Sequence, residues 1–211
     1  EGYEAGQAKL VEFIEMATRL GFAAHRMIGY TMGLDDVSEP EVQQDIDFLY
    51  EKCAQKILEI DQAYANGQLV DYVRRHTPEK EVSALASPLE YIEDQVVQFT
   101  SAFENDLLRP IEDHQGSGNP MQIAVRSKAR GKDLNIRQMT GAFGQVRLGK
   151  RRVTYGIEAD RVLAHYPRGT LDPKHRGLTR GSYAKGMQPL EYFMTSIAGR
   201  RAIIESGQGN I

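Results

Sequence analysis

The sequence predicts a mainly α protein: a helical hairpin, then a loop-rich mixed segment, then a C-terminal helix. Two long amphipathic stripes in the first half and a third near the end predict the helices. Between them, residues 143–186 contain seven Gly and two Pro and no long periodic run, which predicts loops with one or two short strands. We therefore expect three regions: 1–118, 119–187 and 188–211.

The first helix is predicted over residues 3–30, where apolar side chains recur every three or four positions. A turn at 33–36 ends it. Ser38, with Glu41 three residues later and Pro40 between them, then predicts the start of a second helix. This helix ends at Asn66-Gly67. Its stripe consists of Val42, Ile46, Leu49, Cys53, Ile57, Ile60 and Tyr64.

A further helix is predicted from Ser87-Pro88, and Thr77-Pro78 is another possible helix start. The stripe from Leu89 to Leu107 matches the second helix in length, and Pro110 stops or kinks it. Two such stripes joined by a polar connector favour an antiparallel hairpin. The alternative is that each helix packs separately on a core.

The loop at 115–120 is the predicted boundary of the first region, because Gly, Ser, Asn and Pro cluster there. Residues 121–142 beyond it fit one helix with Gly131 near its middle, or two short helices. Residues 152–155 are the best candidate strand. From Gln188 a last helix is predicted, with Pro189 in its first turn.

The bulk composition excludes several classes of protein. The single Cys53 excludes an internal disulfide and a cysteine metal cluster and favours a reducing compartment. No run reaches the roughly 18 apolar residues of a membrane span. The chain begins without Met and ends inside a helical pattern, so we expect a fragment, a cleaved chain or a deliberately bounded piece of a longer protein.

The net charge of -3 conceals a strong asymmetry between the two halves. Residues 1–118 hold 9 Lys and Arg against 23 Asp and Glu, a balance of -14, whereas residues 119–211 hold 17 against 6, a balance of +11. A basic half of this kind favours contact with anions such as nucleic acid or nucleotides. The alternative is a solvated basic face.

No self-contained catalytic site is recognisable. Residues 144–150 have P-loop spacing, but Arg151 follows where Ser or Thr would bind magnesium, so a basic loop is the better interpretation. The five His are scattered without ligand spacing, and Asp35-Asp36 fits an acidic turn. No Ser or Cys lies in a nucleophile elbow.

The basic block at 126–145 is the strongest functional signal in the chain. It contains five cations together with Ser, Asn, Gln and Thr side chains, and Lys150, Arg151 and Arg152 form a second run. Such clusters neutralise phosphates and give salt-dependent affinity. Only Phe143 and Tyr155 supply aromatic rings nearby, which argues against a stacking platform for single strands.

Several blocks resemble, in the same order, the largest subunit of multisubunit DNA-directed RNA polymerases. Residues 126–145 resemble the segment beside the active-centre channel in which "ARG", Asn or Gln, "Q" and "G" recur. Residues 26–36 resemble the archaeal and eukaryotic "RGFTxGLDD", and residues 144–151 resemble "GQQxxxGKR". Residues 165–177 resemble "PHF…GPESRGF", and residues 182–193 resemble "NSYxxGLTPxEFF", which leads into the bridge helix.

The resemblance implies that the acidic hairpin is the funnel around the secondary channel, where nucleotides enter and backtracked RNA leaves. Arg130 matches a basic position near the phosphates of the incoming nucleotide. The last helix matches the start of the bridge helix, with Arg200 and Arg201 as its basic residues. The expected channel residues are Lys128, Arg130, Lys132, Asn135, Gln138, Gln145, Lys150 and Arg151.

The same resemblance implies the partners: other polymerase subunits, DNA template, RNA, nucleoside triphosphates, and transcript-cleavage or channel-binding factors at the funnel, with no membrane. Mg²⁺ is expected in the assembled enzyme, bound outside this segment. The aspartate-rich magnesium motif and the trigger loop are absent from the sequence, so the segment alone should be inactive. The implied location is the cytoplasm and nucleoid, or a viral origin.

Two departures from the family pattern indicate a divergent lineage, archaeal or viral. Residues 194–203 are closer to the bacterial "FISTHGARKGL" than to "FFFHAMGGREGL", and the second Gln of "GQQ" is replaced by Val146. The competing hypothesis is a non-enzymatic helical regulator that binds nucleic acid or polymerase. A free-standing phosphate-using enzyme has no support in the sequence.

Overall fold

Two helices of similar length, α2 (Gln43–Ala65) and α4 (Pro88–Asp106), pack against each other. The Tyr50 ring meets the Phe103 ring edge-on at 6.1 Å, and the Cys53 thiol lies 3.8 Å from the Phe99 carbonyl. The later residue of α2 thus contacts the earlier residue of α4, so the two helices are antiparallel. The predicted hairpin is confirmed, and with it the mainly α fold.

The computed structural model describes residues 2–38, 40–76, 87–149, 151–153 and 161–208. The possible helix start at Thr77-Pro78 and most of the candidate strand 152–155 lie outside these residues. The remaining helices are α1 (Gly2–Ile28), α3 (Leu69–His76), α5 (Leu108–Gln115), α6 (Pro120–Arg126), α7 (Asp133–Ile136) and α8 (Pro189–Gln208). Short 3₁₀ helices span Pro40–Val42 and Pro173–Arg176, and a π-helix spans Arg137–Gly141.

The contacts divide the chain into two units, Glu1–Gly33 and Leu34–Ile211. The first unit consists of α1, which confirms the helix predicted over residues 3–30 and carries an Arg19–Glu15 ion pair one turn apart at 2.6 Å. The second unit contains all the other elements. The boundary predicted near residue 118 therefore falls inside this second unit.

The helix ends follow the predicted capping signals in most places. The Ser87 hydroxyl accepts a hydrogen bond from the Glu90 amide at 3.4 Å, as expected for an N-cap. Gly67, with φ 70°, follows the end of α2. The predicted start of α2 at Ser38 is wrong, because a 3₁₀ turn comes first and α2 begins at Gln43, after the uncapped Val42.

The break predicted at Pro110 falls slightly earlier, at Leu107. Pro110 then sits in the first turn of α5, where its missing amide proton costs no hydrogen bond. Residues 121–142 form two helical segments, since α6 is separated from α7 by a loop. The side-chain oxygen of Asn119 caps α6, because it accepts hydrogen bonds from the Met121 and Gln122 backbone amides.

The mixed segment contains four strands of two residues each in the described part of the chain. β1 (Gly144–Gln145) pairs antiparallel with β4 (Leu178–Thr179), and β2 (Arg147–Leu148) pairs antiparallel with β3 (Arg151–Arg152). One hydrophobic core lies among α2 to α7 and includes Leu178. A smaller core joins the mixed segment to α8 through Val146, Val153 and Met194.

Candidate functional site

The loop between α6 and α7 presents the exposed cations of the site. Lys128, Arg130 and Lys132 are all exposed, and among the described residues none of them makes an ion pair. Lys128 has φ 58°, the left-handed position that usually ends a helix with glycine. Its amide donates to the Val125 carbonyl at 3.0 Å, which holds the loop close to the end of α6.

Asn135 fixes the other end of this loop. Its side-chain oxygen accepts a hydrogen bond from the Lys132 backbone amide at 2.8 Å and so caps α7. Gly131, with φ 80°, lies against α6, because a Cβ there would meet the Val125 side chain at 3.2 Å. The cations therefore project from a short loop that is anchored at both ends.

The π-helix that follows is tied to the hairpin by a buried ion pair. The Arg137 guanidinium lies 3.2 Å from the Glu104 carboxylate of α4, and both side chains are almost fully buried. Burial lowers the pKa of Arg137, although the charge of Glu104 opposes that shift. Arg147 of β2 also approaches Glu104, at 3.8 Å, so one carboxylate serves two guanidinium groups.

The backbone of the π-helix is bonded to the loop that precedes α8. The Gln138 and Met139 carbonyls accept hydrogen bonds from the Tyr183 and Ala184 amides at 3.0 and 2.9 Å. The Phe143 amide donates in return to the Gly181 carbonyl at 2.8 Å. π-Helical turns often occur at functional sites. Here the turn connects the cationic segment to the start of the last helix.

A group of amides joins the π-helix to the turn at 34–37. The Gln115 amide donates to the Asp36 carbonyl at 3.1 Å and to the Thr140 hydroxyl at 3.2 Å. Asn119 donates to the same Asp36 carbonyl at 2.7 Å, and Gln122 donates to Gln115 at 3.0 Å. Gln115 thus bridges Asp36 and Thr140, which come from two blocks that were matched separately in the sequence.

Gln145 is a buried residue of β1. Its side-chain nitrogen donates to the Val146 and Arg176 carbonyls, both at 2.9 Å, while its side-chain oxygen is buried and has no partner in the described part of the chain. Gln138 is half-buried. Among the predicted polar channel residues, only Asn135 is exposed.

The second basic run divides between surface and core. Arg151 is exposed and lies 3.3 Å from Glu90, whereas Lys150 is outside the described residues. Arg152 does not fit a phosphate-neutralising role, because its guanidinium is only 2% exposed. It is bonded to Asp61 of α2 and Glu93 of α4 at 2.7 and 2.8 Å.

The buried cluster of Arg152, Asp61 and Glu93 was missed by the sequence analysis. Burial disfavours the charge on Arg152, but the hydrogen bonds of the two carboxylates outweigh it and raise the pKa of Arg152. Arg176 adds a second guanidinium at 3.6 Å from Asp61. The available signal was a carboxylate next to an apolar stripe position in each helix, beside Ile60 and Ile92.

α8 carries the two remaining predicted site residues, and both are exposed. Arg201 pairs with Glu205 one turn later at 2.6 Å, while no ion pair of Arg200 occurs within the described ranges. A Cβ on Gly149 would come within 3.8 Å of the Arg201 guanidinium. The turn between β2 and β3, which precedes Arg151, therefore faces α8.

In the described residues, no three His, Cys, Asp or Glu side chains gather in a way that could hold a metal ion. None of the helices in the same part of the chain is both long and apolar enough to cross a membrane.

Comparison with known sequences finds one matching family profile and several relatives. The profile described as RNA polymerase Rpb1, domain 4, matches residues 75–179. A DNA-directed RNA polymerase subunit Rpo1N of Methanococcus vannielii is 29% identical over 194 residues, which cover 92% of this chain and 20% of the relative. Rpo1N of Methanocaldococcus jannaschii is 28% identical over 205 residues, covering 97% of the chain and 14% of the relative.

Rpo1N of Thermoplasma acidophilum is 28% identical over 204 residues, covering 95% of the chain and 22% of the relative. The chain thus spans about a fifth or less of the length of the first relatives it matches. Their similarity extends well beyond the span of the profile and includes both α1 and α8. The chain is therefore similar, along nearly its whole length, to the archaeal-type largest subunits of multisubunit RNA polymerases.

Proposed function

We propose that this chain is the funnel-to-bridge-helix segment of a DNA-directed RNA polymerase, and that it shapes the secondary channel and supports the active centre during transcription. The observation that carries the proposal is the pair of backbone hydrogen bonds from Tyr183 and Ala184 to the π-helix. These bonds put the cationic loop and the start of α8 on one connected framework.

The role of the cationic loop follows from its exposure and from the lack of ion pairs to its cations among the described residues. Lys128, Arg130 and Lys132 are available to offset the charge of a nucleoside triphosphate or of a nucleic-acid backbone. Because the loop is anchored at both ends, its cations are positioned before the anion arrives, which reduces the entropy cost of binding. Arg130 is the residue we assign to the phosphates of the incoming nucleotide.

The hairpin supplies a different surface. Its buried sides form the core, while the outward sides of α2 and α4 carry exposed carboxylates, among them Asp45, Glu59 and Asp94. We assign this surface to the funnel, where transcript-cleavage or channel-binding factors would dock. The template and the RNA would contact α8, through Arg200 and Arg201, and the other polymerase subunits would enclose the segment.

Phosphoryl transfer by such an enzyme needs Mg²⁺ to neutralise charge on the reacting phosphates. The described residues do not offer a carboxylate cluster for that ion. As the resemblance to the family implies, we propose that the ion is bound outside this segment, on another part of the assembled polymerase. This chain would orient the nucleotide and neutralise the charge of its phosphates. The segment alone is expected to be inactive.

The test is the substitution Arg130→Ala in the assembled polymerase. We expect the nucleotide concentration needed for half-maximal elongation to rise about tenfold, the usual cost of losing one charge-assisted contact. Lys52→Ala removes an exposed cation from α2 and is the matched control, with no expected change. An unchanged concentration dependence in Arg130→Ala would remove the assigned role.

A pull-down with the tagged chain from its source cell tests the assembly itself. Polymerase subunits recovered in equal amounts support a core segment. Recovery of polymerase in small amounts, or of nucleic acid alone, would instead favour the separate helical regulator and would contradict the proposed function.

A further inference from the structure

A cavity of about 430 Å³ opens between the 3₁₀ turn Pro173–Arg176, the loop before α8, and the first turn of α8. It lies outside the cationic loop and contains none of the channel residues predicted from the sequence. Its volume is within the range of small-molecule sites in proteins. The side chains that define its chemistry are those of Tyr166, Lys174, His175, Arg180, Lys185 and Glu191.

The cavity carries excess positive charge, with three cations among its lining residues against one carboxylate. Arg180 is already neutralised by Asp47 at 2.6 Å. Glu191 accepts hydrogen bonds from the Arg180 and Gln188 backbone amides at 2.9 and 3.0 Å, so both of its oxygens are occupied. The positive charge that is not neutralised comes from two lysines. Lys174 has no ion pair among the described residues, and Lys185 only approaches Asp47 at 3.9 Å.

An aromatic platform forms another wall of the same cavity. The rings of Tyr166 and His175 stack at a centroid separation of 4.2 Å and an angle of 27°. Tyr166 is buried, and His175 is half-buried and held by the Thr170 hydroxyl at 2.8 Å from its Nδ1. Tyr166 covers one face of the imidazole, so a ligand ring that stacks on His175 would have to use the opposite face.

We propose that this cavity is a mononucleotide site separate from the cationic loop, in which the base stacks on His175 and the phosphates are bound by Lys174 and Lys185. A flat ring joined to a polyanion is the ligand class that matches both walls at once, because stacking and phosphate neutralisation are then supplied by different residues. Gly186 on the remaining wall has open space where a Cβ would stand, which allows the ligand to approach the backbone closely.

The site is tested by titrating the purified 211-residue chain with ATP, adenosine and tripolyphosphate, using calorimetry at fixed ionic strength. We expect ATP to bind at least about tenfold more tightly than adenosine or tripolyphosphate. Adenosine lacks the phosphates that contact the lysines, and tripolyphosphate lacks the base that stacks on His175. Lys174→Ala and Lys185→Ala should each weaken ATP about tenfold, the cost of a charge-assisted contact, without changing the thermal transition. Lys52→Ala is the charge-matched control.

Substitution of His175 distinguishes binding by stacking of the base from binding by charge attraction alone. His175→Ala should weaken ATP but not tripolyphosphate, and His175→Phe should restore ATP because it keeps a flat ring. Equal affinity for tripolyphosphate and ATP, or equal weakening by Lys52→Ala, would overturn the proposal. So would ATP binding that is lost in Arg130→Ala and kept in Lys174→Ala. These results are independent of the pull-down, so each proposal can fail alone.

Discussion

Arg152 and Asp61 are 91 residues apart in the chain and are joined by two hydrogen bonds of 2.7 and 3.0 Å. The same guanidinium donates to Glu93 at 2.8 Å, so a single residue of β3 connects both helices of the hairpin. A buried charge left without its partner is strongly destabilising. This cluster therefore controls how the hairpin is fixed to the mixed segment.

Glu93→Gln should destabilise the chain by about 3 kcal/mol, because Arg152 keeps its charge in the core but loses half of its counter-charge. The measurement is urea unfolding followed by circular dichroism. Glu90→Gln is the matched control on the same helix: its exposed pair with Arg151 should contribute less than about 1 kcal/mol. Equal effects of the two substitutions would contradict a special role for the buried cluster.

Glu93 should also make the stability depend on acidic pH. Burial raises the pKa of Glu93, but the hydrogen bonds from Arg152 outweigh burial and hold that pKa below its ordinary value of 4.5. A carboxyl whose pKa is lower in the folded state stabilises that state above pH 4.5, and this stability disappears as the pH falls through the folded-state pKa. Unfolding free energies measured from pH 7 to pH 3 should therefore decline less steeply in Glu93→Gln than in the wild type.

Gly181→Ala should destabilise the loop before α8 by about 1–3 kcal/mol, the usual cost of overpacking. A Cβ at Gly181 would lie 2.7 Å from the Gly186 carbonyl oxygen and 2.8 Å from the Met187 Cα, and both are backbone atoms that cannot rotate away. Thermal melting measures the loss. Gly199→Ala is the matched control in α8, where open space and helical backbone predict a gain of up to about 1 kcal/mol.

Cys53 should resist alkylation in the folded chain. Burial raises the pKa of its thiol to about 12, from an ordinary value of 9.0, so the reactive thiolate is about a thousandfold scarcer at neutral pH. Iodoacetamide labelling followed by mass spectrometry should be complete in urea and slow in buffer. Rapid labelling of the native chain would show that the contact between α2 and α4 opens readily.

The four long helices, α1, α2, α4 and α8, could be predicted from sequence because each has an apolar stripe with helical period. α1, α4 and α8 are close to their predicted bounds, and Ser87 caps α4 as its motif indicates. The start of α2 could not be predicted, since a local capping signal does not distinguish the 3₁₀ turn at Pro40–Val42 from the first turn of an α-helix. The strands are two residues long, too short for a period to show.

The candidate site was predictable only where its residues stay on the surface. Lys128, Arg130 and Lys132 are exposed as expected, and none of them makes an ion pair among the described residues. Arg152 has the same sequence character but is buried, since its partners come from two distant helices. The π-helix had no sequence signal either, because its carbonyls are satisfied by residues more than 40 positions later.

The buried guanidinium also bears on the order in which the chain can fold during synthesis. Asp61 and Glu93 leave the ribosome before Arg152, and domains generally fold as units as they emerge. Until Arg152 is made, pairing α2 with α4 would bury two carboxylates without a counter-charge, which is unfavourable. We therefore expect the hairpin to close only after the mixed segment is available, so that the two regions fold in one cooperative step.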